Sequence, residues 1–186
     1  MTVMRQRISL VQGRGDQRVE VLLVNLAQKH LDDFDRYWRP LLQQFEAEDK
    51  FWDWVVKKRI SISSDNFESY ALEFEGRTQG LMVIETQWHR SQVDRRNRLV
   101  YVEAVASAPW NRGVIQQPPE LRGVGTALLL FAQQRSLEFG YGGRIGLHAL
   151  PGAERFYEGR NMPSYGPDPD KENLTYFEYS ASRGEK

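Results

Sequence analysis

The sequence predicts an α/β (α+β) fold: a mixed, mostly antiparallel central sheet with helices on both faces. Three observations carry this. Tyr70, Leu72 and Phe74 alternate with Ala71, Glu73 and Glu75. The segment Gly76-Arg77-Thr78-Gln79-Gly80 then reads as a turn and Leu81–Thr86 as the return strand, so residues 68–86 form an antiparallel hairpin. Leu99–Ala106 is a near-continuous β-branched and aromatic run, the sign of a central strand buried on both faces. After residue 98, strand and helix patterns alternate.

The 186 residues suit a single domain over 1–186, with residues 1–60 a less typical, helical N-terminal part. A hydrophobic content of 40% against 27% charged residues allows both a buried core and a soluble surface. Lys plus Arg and Asp plus Glu each number 25, so no global field favours nucleic acid, and none is expected as a partner. The absence of cysteine excludes thiol nucleophiles, disulfides and Cys-ligated zinc, and agrees with a reducing compartment. Met1–Arg18 is polar and lacks the apolar region of a secretory signal; no apolar run reaches membrane-spanning length. A cytoplasmic location and no membrane partner are expected.

Along the chain, Leu31, Phe34, Trp38, Leu41 and Phe45 recur at three- and four-residue spacing, which predicts a helix over 31–45. Pro40 should kink it or begin a second helix. A further turn or two is expected over Phe51–Lys58, with Trp52, Val55 and Val56 inward. Residues 87–97 read as a polar, basic loop, and Pro109, Pro118 and Pro119 punctuate a long connection. Helix resumes near Gly125 and should stop at Phe139, before Gly140, Gly142 and Gly143. Arg144–Ala149 reads as a strand, Gly152–Gly159 as a short helix, 163–169 as a loop and Leu174–Tyr179 as a last strand.

The chemically informative stretch is Leu121-Arg122-Gly123-Val124-Gly125-Thr126-Ala127-Leu128, which opens an amphipathic helix. Its glycines allow tight curvature, and the first helical amides lack internal partners at the positive end of the dipole, so a phosphate is a natural occupant. A P-loop would need Gly-Lys-Ser/Thr, which is absent. A Rossmann fingerprint would need Gly or Ala where Leu128 stands, directly after a strand. The third candidate is the CoA pyrophosphate pattern Arg/Gln-x-x-Gly-x-Gly/Ala, filled by Arg122, Gly125 and Ala127.

Three runs in this order are Tyr101-Val102-Glu103-Ala104-Val105-Ala106-Ser107-Ala108-Pro109, Arg122–Ala127 and Ala153-Glu154-Arg155-Phe156-Tyr157-Glu158. Together they resemble the GNAT family of N-acetyltransferases, over roughly residues 68–180. The resemblance implies acetyl-CoA, or another acyl-CoA, as co-substrate and no metal. It implies that the Val105 strand splays from Arg144–Ala149 and that main-chain groups of Val105 and Ser107 pair with pantetheine. It also implies that the amides of Arg122, Gly123, Val124, Gly125, Thr126 and Ala127 hold the pyrophosphate, and that Tyr157 lies near the thioester sulfur. An alkylamine, with a pKa of about 10, attacks only when unprotonated, so a proton acceptor is needed. Glu103, an acid in an apolar strand, is the candidate general base and Tyr157 the candidate acid toward the thiolate.

The chain departs from the family pattern in three places. The connection from Pro109 to Arg122 is long and reads as a wall or lid over the acyl end. Leu150 stands where many members carry Asn, and residues 1–60 match no motif. Plain structural readings stay beside the functional ones. Glu103 reads also as an acid paired with an arginine, Tyr157 as core, and Trp110 as a pin for the insert. His148 reads as a satisfied core group. His30 and His89 lack partners at ligand spacing. Asp32, Asp33 and Asp35 read as a solvated face, and Arg90, Arg95, Arg96 and Arg98 as a solvated loop.

The leading function is transfer of acetyl to a primary amine, most simply a small-molecule acceptor. The alternatives are an acyl-CoA-binding module without turnover and an enzyme acting on a protein or aminoacyl-tRNA. The acceptor, the acyl length and the oligomeric state, a homodimer included, are not fixed by the sequence.

Overall fold

A computed structural model describes residues 4–180. Met1–Val3 of the polar N-terminal stretch lie outside the described residues. The chain opens with a hairpin, β1 (Arg5–Gln12) and β2 (Arg18–Asn25), where only helix was expected. Its signal is the alternation of Ile8 and Leu10 with Arg7 and Ser9, and of Val19 and Val21 with Arg18 and Glu20. Arg5, Arg7 and Ser9 form the exposed face of β1, and that is what makes the stretch look like a polar tail.

The first helical stretch runs as α1 (Gln28–Asp33), a π-helical segment over Phe34–Trp38, and α2 (Arg39–Gln44). Pro40 falls in the first turn of α2, where its missing N–H leaves no hydrogen bond unmade. The wider π turn shifts the phase of the apolar stripe. Leu31, Phe34, Trp38 and Leu42 are therefore buried, whereas Leu41 is half-buried and Phe45 exposed. The next helix, α3 (Trp54–Ser63), starts later than expected because Asp53 caps it, accepting the Val56 amide at 3.0 Å. That phase buries Trp54 and leaves Val55 and Val56 exposed, with Trp52 half-buried.

The hairpin of β3 (Phe67–Phe74) and β4 (Arg77–Glu85) turns through Glu75 (φ +50°) and Gly76 (φ +76°) alone. Thr78, Gln79 and Gly80, expected in the turn, are buried residues of β4. The Thr78 amide and hydroxyl donate to Asp33 Oδ2 at 3.1 and 2.6 Å, which takes one acid of the expected solvated face into the structure. A Cβ on Gly80 would lie 2.8 Å from Val124 Cγ1, so only glycine fits there.

The remaining elements are β5 (Val100–Ser107), β6 (Leu121–Arg122), α4 (Val124–Glu138), β7 (Ile145–Ala149), α5 (Glu154–Glu158), β8 (Ser164–Asp168) and β9 (Leu174–Tyr179). The helix stop before Gly140 (φ +76°) and the last strand fall where expected. The expected loop at 163–169 is instead β8, an edge strand whose register breaks between Ser164 and Pro167. An edge tolerates the donor that Pro167 lacks.

The strands form a nine-stranded sheet in the order β6-β1-β2-β3-β4-β5-β7-β9-β8, mostly antiparallel, with β5 interior. The β5–β7 pair is parallel. By packing, the chain divides into two compact units. One comprises residues up to 65, 69–83 and 104–128; Val21, Leu23, Trp38, Leu42 and Leu72 are buried in it. The other comprises 66–68, 84–103 and 129 onward, with Leu99, Val100, Ile145, Leu147 and Phe177 buried.

Candidate active site

The anion loop belongs to the first unit. Pairing of Gln12 with Leu121 and Val11 with Arg122 makes a short strand of the residues before it, an element absent from the sequence reading. Gly123 then takes φ +90°, a left-handed conformation that glycine adopts without strain, and turns the chain into α4. Gly125 lies inside the first helical turn. The Ala127 amide donates to the Gly123 carbonyl at 2.8 Å. The amides of Val124, Gly125 and Thr126 precede that bond and have no carbonyl within the helix to meet. The Thr126 hydroxyl is buried and, among the described residues, has no hydrogen-bond partner, a condition that costs about 1–3 kcal/mol unless something fills it. Free first-turn amides beside a buried hydroxyl are donors of the kind that suit an anion with several oxygens. The Arg122 guanidinium is held by the β1–β2 turn, on Asp16 at 2.7 Å and the Gly13 carbonyl at 3.2 Å.

The end of β5 lies in the same unit. The Ala108 amide donates to the Gln79 carbonyl at 2.9 Å, and the Ala106 carbonyl lies 3.6 Å from where a Gly80 Cβ would be. Main-chain direction alternates along a strand, so Val105 and Ser107 aim their main-chain groups away from β4. Val100 instead donates to the Arg144 carbonyl, just before β7. The alternation therefore reverses once between Val100 and Ala106, as at a β-bulge. The parallel register with β7 ends at Tyr101↔Gly146, although β7 continues to Ala149. This is the splay that the family resemblance implies.

The 109–121 connection is bolted down. Trp110 is buried, with Nε1 donating to Gln79 Oε1 at 2.9 Å and Arg77 over its ring at 4.3 Å, so it pins the insert to the core. Arg112 grips Asp49 with two bonds, at 2.8 and 2.6 Å, while its Nε donates to the Ser107 carbonyl at 2.9 Å. That carbonyl, expected to serve pantetheine, is already engaged.

Glu103 and Tyr157 belong to the second unit. Glu103 is the exposed residue of an otherwise shielded β5, and among the described residues its carboxylate has no ion-pair partner. Tyr157, on α5, is buried against Phe156 and Phe177 at ring separations of 5.1 and 5.4 Å. Burial pushes its phenol well above the ordinary value, so it stays protonated and can act only as a donor near neutrality. Its hydroxyl makes no hydrogen bond among the described residues.

The same unit holds a network that sequence reasoning missed. The Tyr101 hydroxyl lies 2.7 Å from His148 Nδ1, and His148 Nε2 lies 2.8 Å from Asp168 Oδ2. His89 stacks on the Tyr101 ring at 4.0 Å, with planes 7° apart. His148 is thus satisfied, as expected, but by a phenol and a carboxylate 47 and 20 residues away, partners that no local pattern announces. Among the other expected surface groups, His30 pairs with Glu73 at 2.7 Å and Arg96 with Asp94. Among the described residues no group of three or more His, Asp or Glu could hold a metal ion, and no helix is long and apolar enough to cross a membrane.

No protein-family model and no curated protein matches the chain. Solved structures do. The GNAT domain of S. lividans PAT aligns with a TM-score of 0.60 at 14% identity, covering 94% of this chain and 96% of that one. The Bacillus subtilis N-acetyltransferase YlbP, solved with coenzyme A, aligns at 0.55 and 13% identity, covering 95% and 97%. AAC(6')-Iy, solved with the bisubstrate analogue CoA-S-monomethyl-acetylneamine, aligns at 0.53 and 15%, covering 75% and 88%. The chain has the GNAT fold, with the splayed strand and the helix-opening loop of its own sequence in place.

Proposed function

We propose that the protein is a cytoplasmic acyl-CoA-dependent N-acetyltransferase, moving acetyl from acetyl-CoA to a primary amine by direct attack and without a metal. The observation that carries this is the anion loop. The α4 amides and the unpaired Thr126 hydroxyl offer donors to a pyrophosphate, and Gly123 lets the backbone curve close to it. Main-chain groups of Val105, and the Ser107 amide, point away from β4 and are offered to the pantetheine arm.

In this reading Glu103 meets the acceptor ammonium as general base, directly or through water. The neutral amine attacks the thioester carbonyl, the C–S bond breaks, and Tyr157 protonates the departing thiolate. The second amine proton, acidified once nitrogen is bonded to the acyl carbon, restores the Tyr157 phenol. A small amine is the favoured acceptor: the chain has no net charge to gather a nucleic acid, and one fold relative is held with an acetylneamine analogue.

The test is thiol release from acetyl-CoA with a panel of small amines, a lysine peptide and a peptide with a free N-terminus. Amine-dependent thiol release supports the reading. Calorimetric binding of acetyl-CoA with no release for any acceptor would make the protein a binding module, and no binding would remove the assignment altogether.

A further inference from the structure

We propose that Tyr101, His148 and Asp168 form a proton relay, in which the Tyr101 hydroxyl takes a proton from the acceptor amine while passing its own to His148. The inference rests on the amine-acetylating reading above and puts the relay in the place of Glu103 as acceptor of the ammonium proton.

Geometry fixes the direction of the relay. A carboxylate only accepts, so the bond from His148 to Asp168 places the imidazole hydrogen on Nε2. Nδ1 then carries the lone pair and receives the Tyr101 hydroxyl hydrogen. Asp168 is itself oriented, accepting from Gln92 Nε2 at 3.2 Å and from the Asp170 amide at 3.0 Å. This is the order of groups that converts a weak hydroxyl into a proton-transferring one: hydroxyl, imidazole, orienting acid. The His148 side chain is 5% exposed and that of Asp168 17%, so the relay is shielded at its centre and wetter at its acid end.

Energetics favour the same assignment. Moving a proton from an alkylammonium of pKa about 10 to an ordinary carboxylate of about 4.3 is uphill by about six units; moving it to an ordinary imidazole of about 6.5 is uphill by about four, and the burial of His148 narrows that advantage. Burial pushes the Tyr101 phenol far up, and the charges of Glu103 and Asp168 push it further. A standing tyrosinate is therefore excluded, and Tyr101 must lose and gain its proton together. Burial lowers His148, with the Asp168 bond opposing, so the imidazole is neutral and able to accept at neutral pH. The groups that face it are Tyr101, with Glu103 on the same strand, Asp168, Lys171, His89 and Tyr176.

The step balances. The ammonium N–H breaks and an O–H forms on Tyr101, while the original Tyr101 O–H breaks and N–H forms on His148 Nδ1. The imidazolium is paired with Asp168 and returns its proton to water after turnover. Glu103, exposed and close enough to act on Tyr101, attracts the ammonium.

The experiment is the pH profile of kcat/KM for amine acetylation, measured on folded wild type, Tyr101→Phe, His148→Gln and Asp168→Asn, with 15N NMR of His148 in the wild type. Wild type should lose activity only at a pH below the ordinary imidazole range, because burial lowers His148, and the loss should run in step with protonation of Nδ1 seen by NMR. Tyr101→Phe should lower kcat/KM by about 10²-fold with an unchanged KM for acetyl-CoA. His148→Gln should abolish the acidic limb and recover activity as pH rises toward the amine pKa. Asp168→Asn should lower the rate and move the limb to lower pH, because the carboxylate that raises His148 is gone. Wild-type kcat/KM and profile in Tyr101→Phe, or an imidazolium at pH 7.5 by NMR, would overturn the relay, and the NMR result stands even if variants misfold. Absence of any thiol release by the wild type would overturn the acetyltransferase reading itself.

Discussion

Glu85 is fully buried, yet it accepts from the amides of Gln87, Trp88 and His89 at 2.6, 2.8 and 3.0 Å, and from Asn66 Nδ2 at 3.1 Å. Burial alone would raise its pKa; the His89 side chain, the amides and Asn66 outweigh it and hold the group at about 2. Because the folded value lies below the unfolded one of 4.5, the carboxylate stabilises the fold above about pH 4.5, and that stability is lost as pH falls toward 2. Glu85→Gln should cost on the order of 3 kcal/mol at pH 7 in urea titrations, with the gap from wild type closing between pH 4.5 and 2. A constant gap across that range would show that charge is not the cause. At the candidate site, Tyr157→Phe removes one hydroxyl that makes no bond among the described residues. Turnover should fall by about 10²-fold or more in the thiol assay while calorimetric affinity for acetyl-CoA stays near wild type. Glu103 and Tyr157 are legible in the sequence as candidates, Glu103 as an acid among apolar residues and Tyr157 through the family's helix pattern. Asp168 is not, since its bond to His148 forms only where β8 lies beside β9.

At the scale of elements, the start of α4 couples sequence to ligand most directly. Thr126→Val removes a buried hydroxyl that the protein leaves unpaired, so unfolding free energy should stay level or rise by about 1 kcal/mol. Acetyl-CoA affinity should fall in the same protein if the hydroxyl serves the pyrophosphate; chemical denaturation and calorimetry on one preparation read both. Gly125→Asp should weaken binding more severely, through bulk and negative charge at an anion site. Helix existence was legible from apolar spacing, but helix phase was not. The π segment at Phe34–Trp38 moves burial from Leu41 to Leu42, and the Asp53 cap moves it from Trp52 to Trp54. Both are local backbone choices to which a count of three and four is blind.

For the whole molecule, a ligand that binds only the folded chain stabilises it by mass action, by about 2.7 kcal/mol at one hundred times Kd. Acetyl-CoA and CoA should therefore raise the melting temperature, while NADH and ATP, whose loops the sequence lacks, should not; an equal shift for all four would mark non-specific anion binding. By itself the sequence determined the mixed sheet, the buried β5 and the helix opening at residues 122–127. Each of these follows from hydrophobic periodicity, glycine placement or a short motif, signals carried within one segment. Only the tertiary structure decided the β1–β2 hairpin as part of the sheet, the grip of Arg112 on Asp49 and Ser107, and the alignment of Tyr101 with His148 and Asp168. The physical reason is that a hairpin's place in the sheet, an ion pair or a hydrogen-bonded chain of side chains gains its free energy from a partner distant in the chain, and no residue carries a local mark of a partner it meets only on folding.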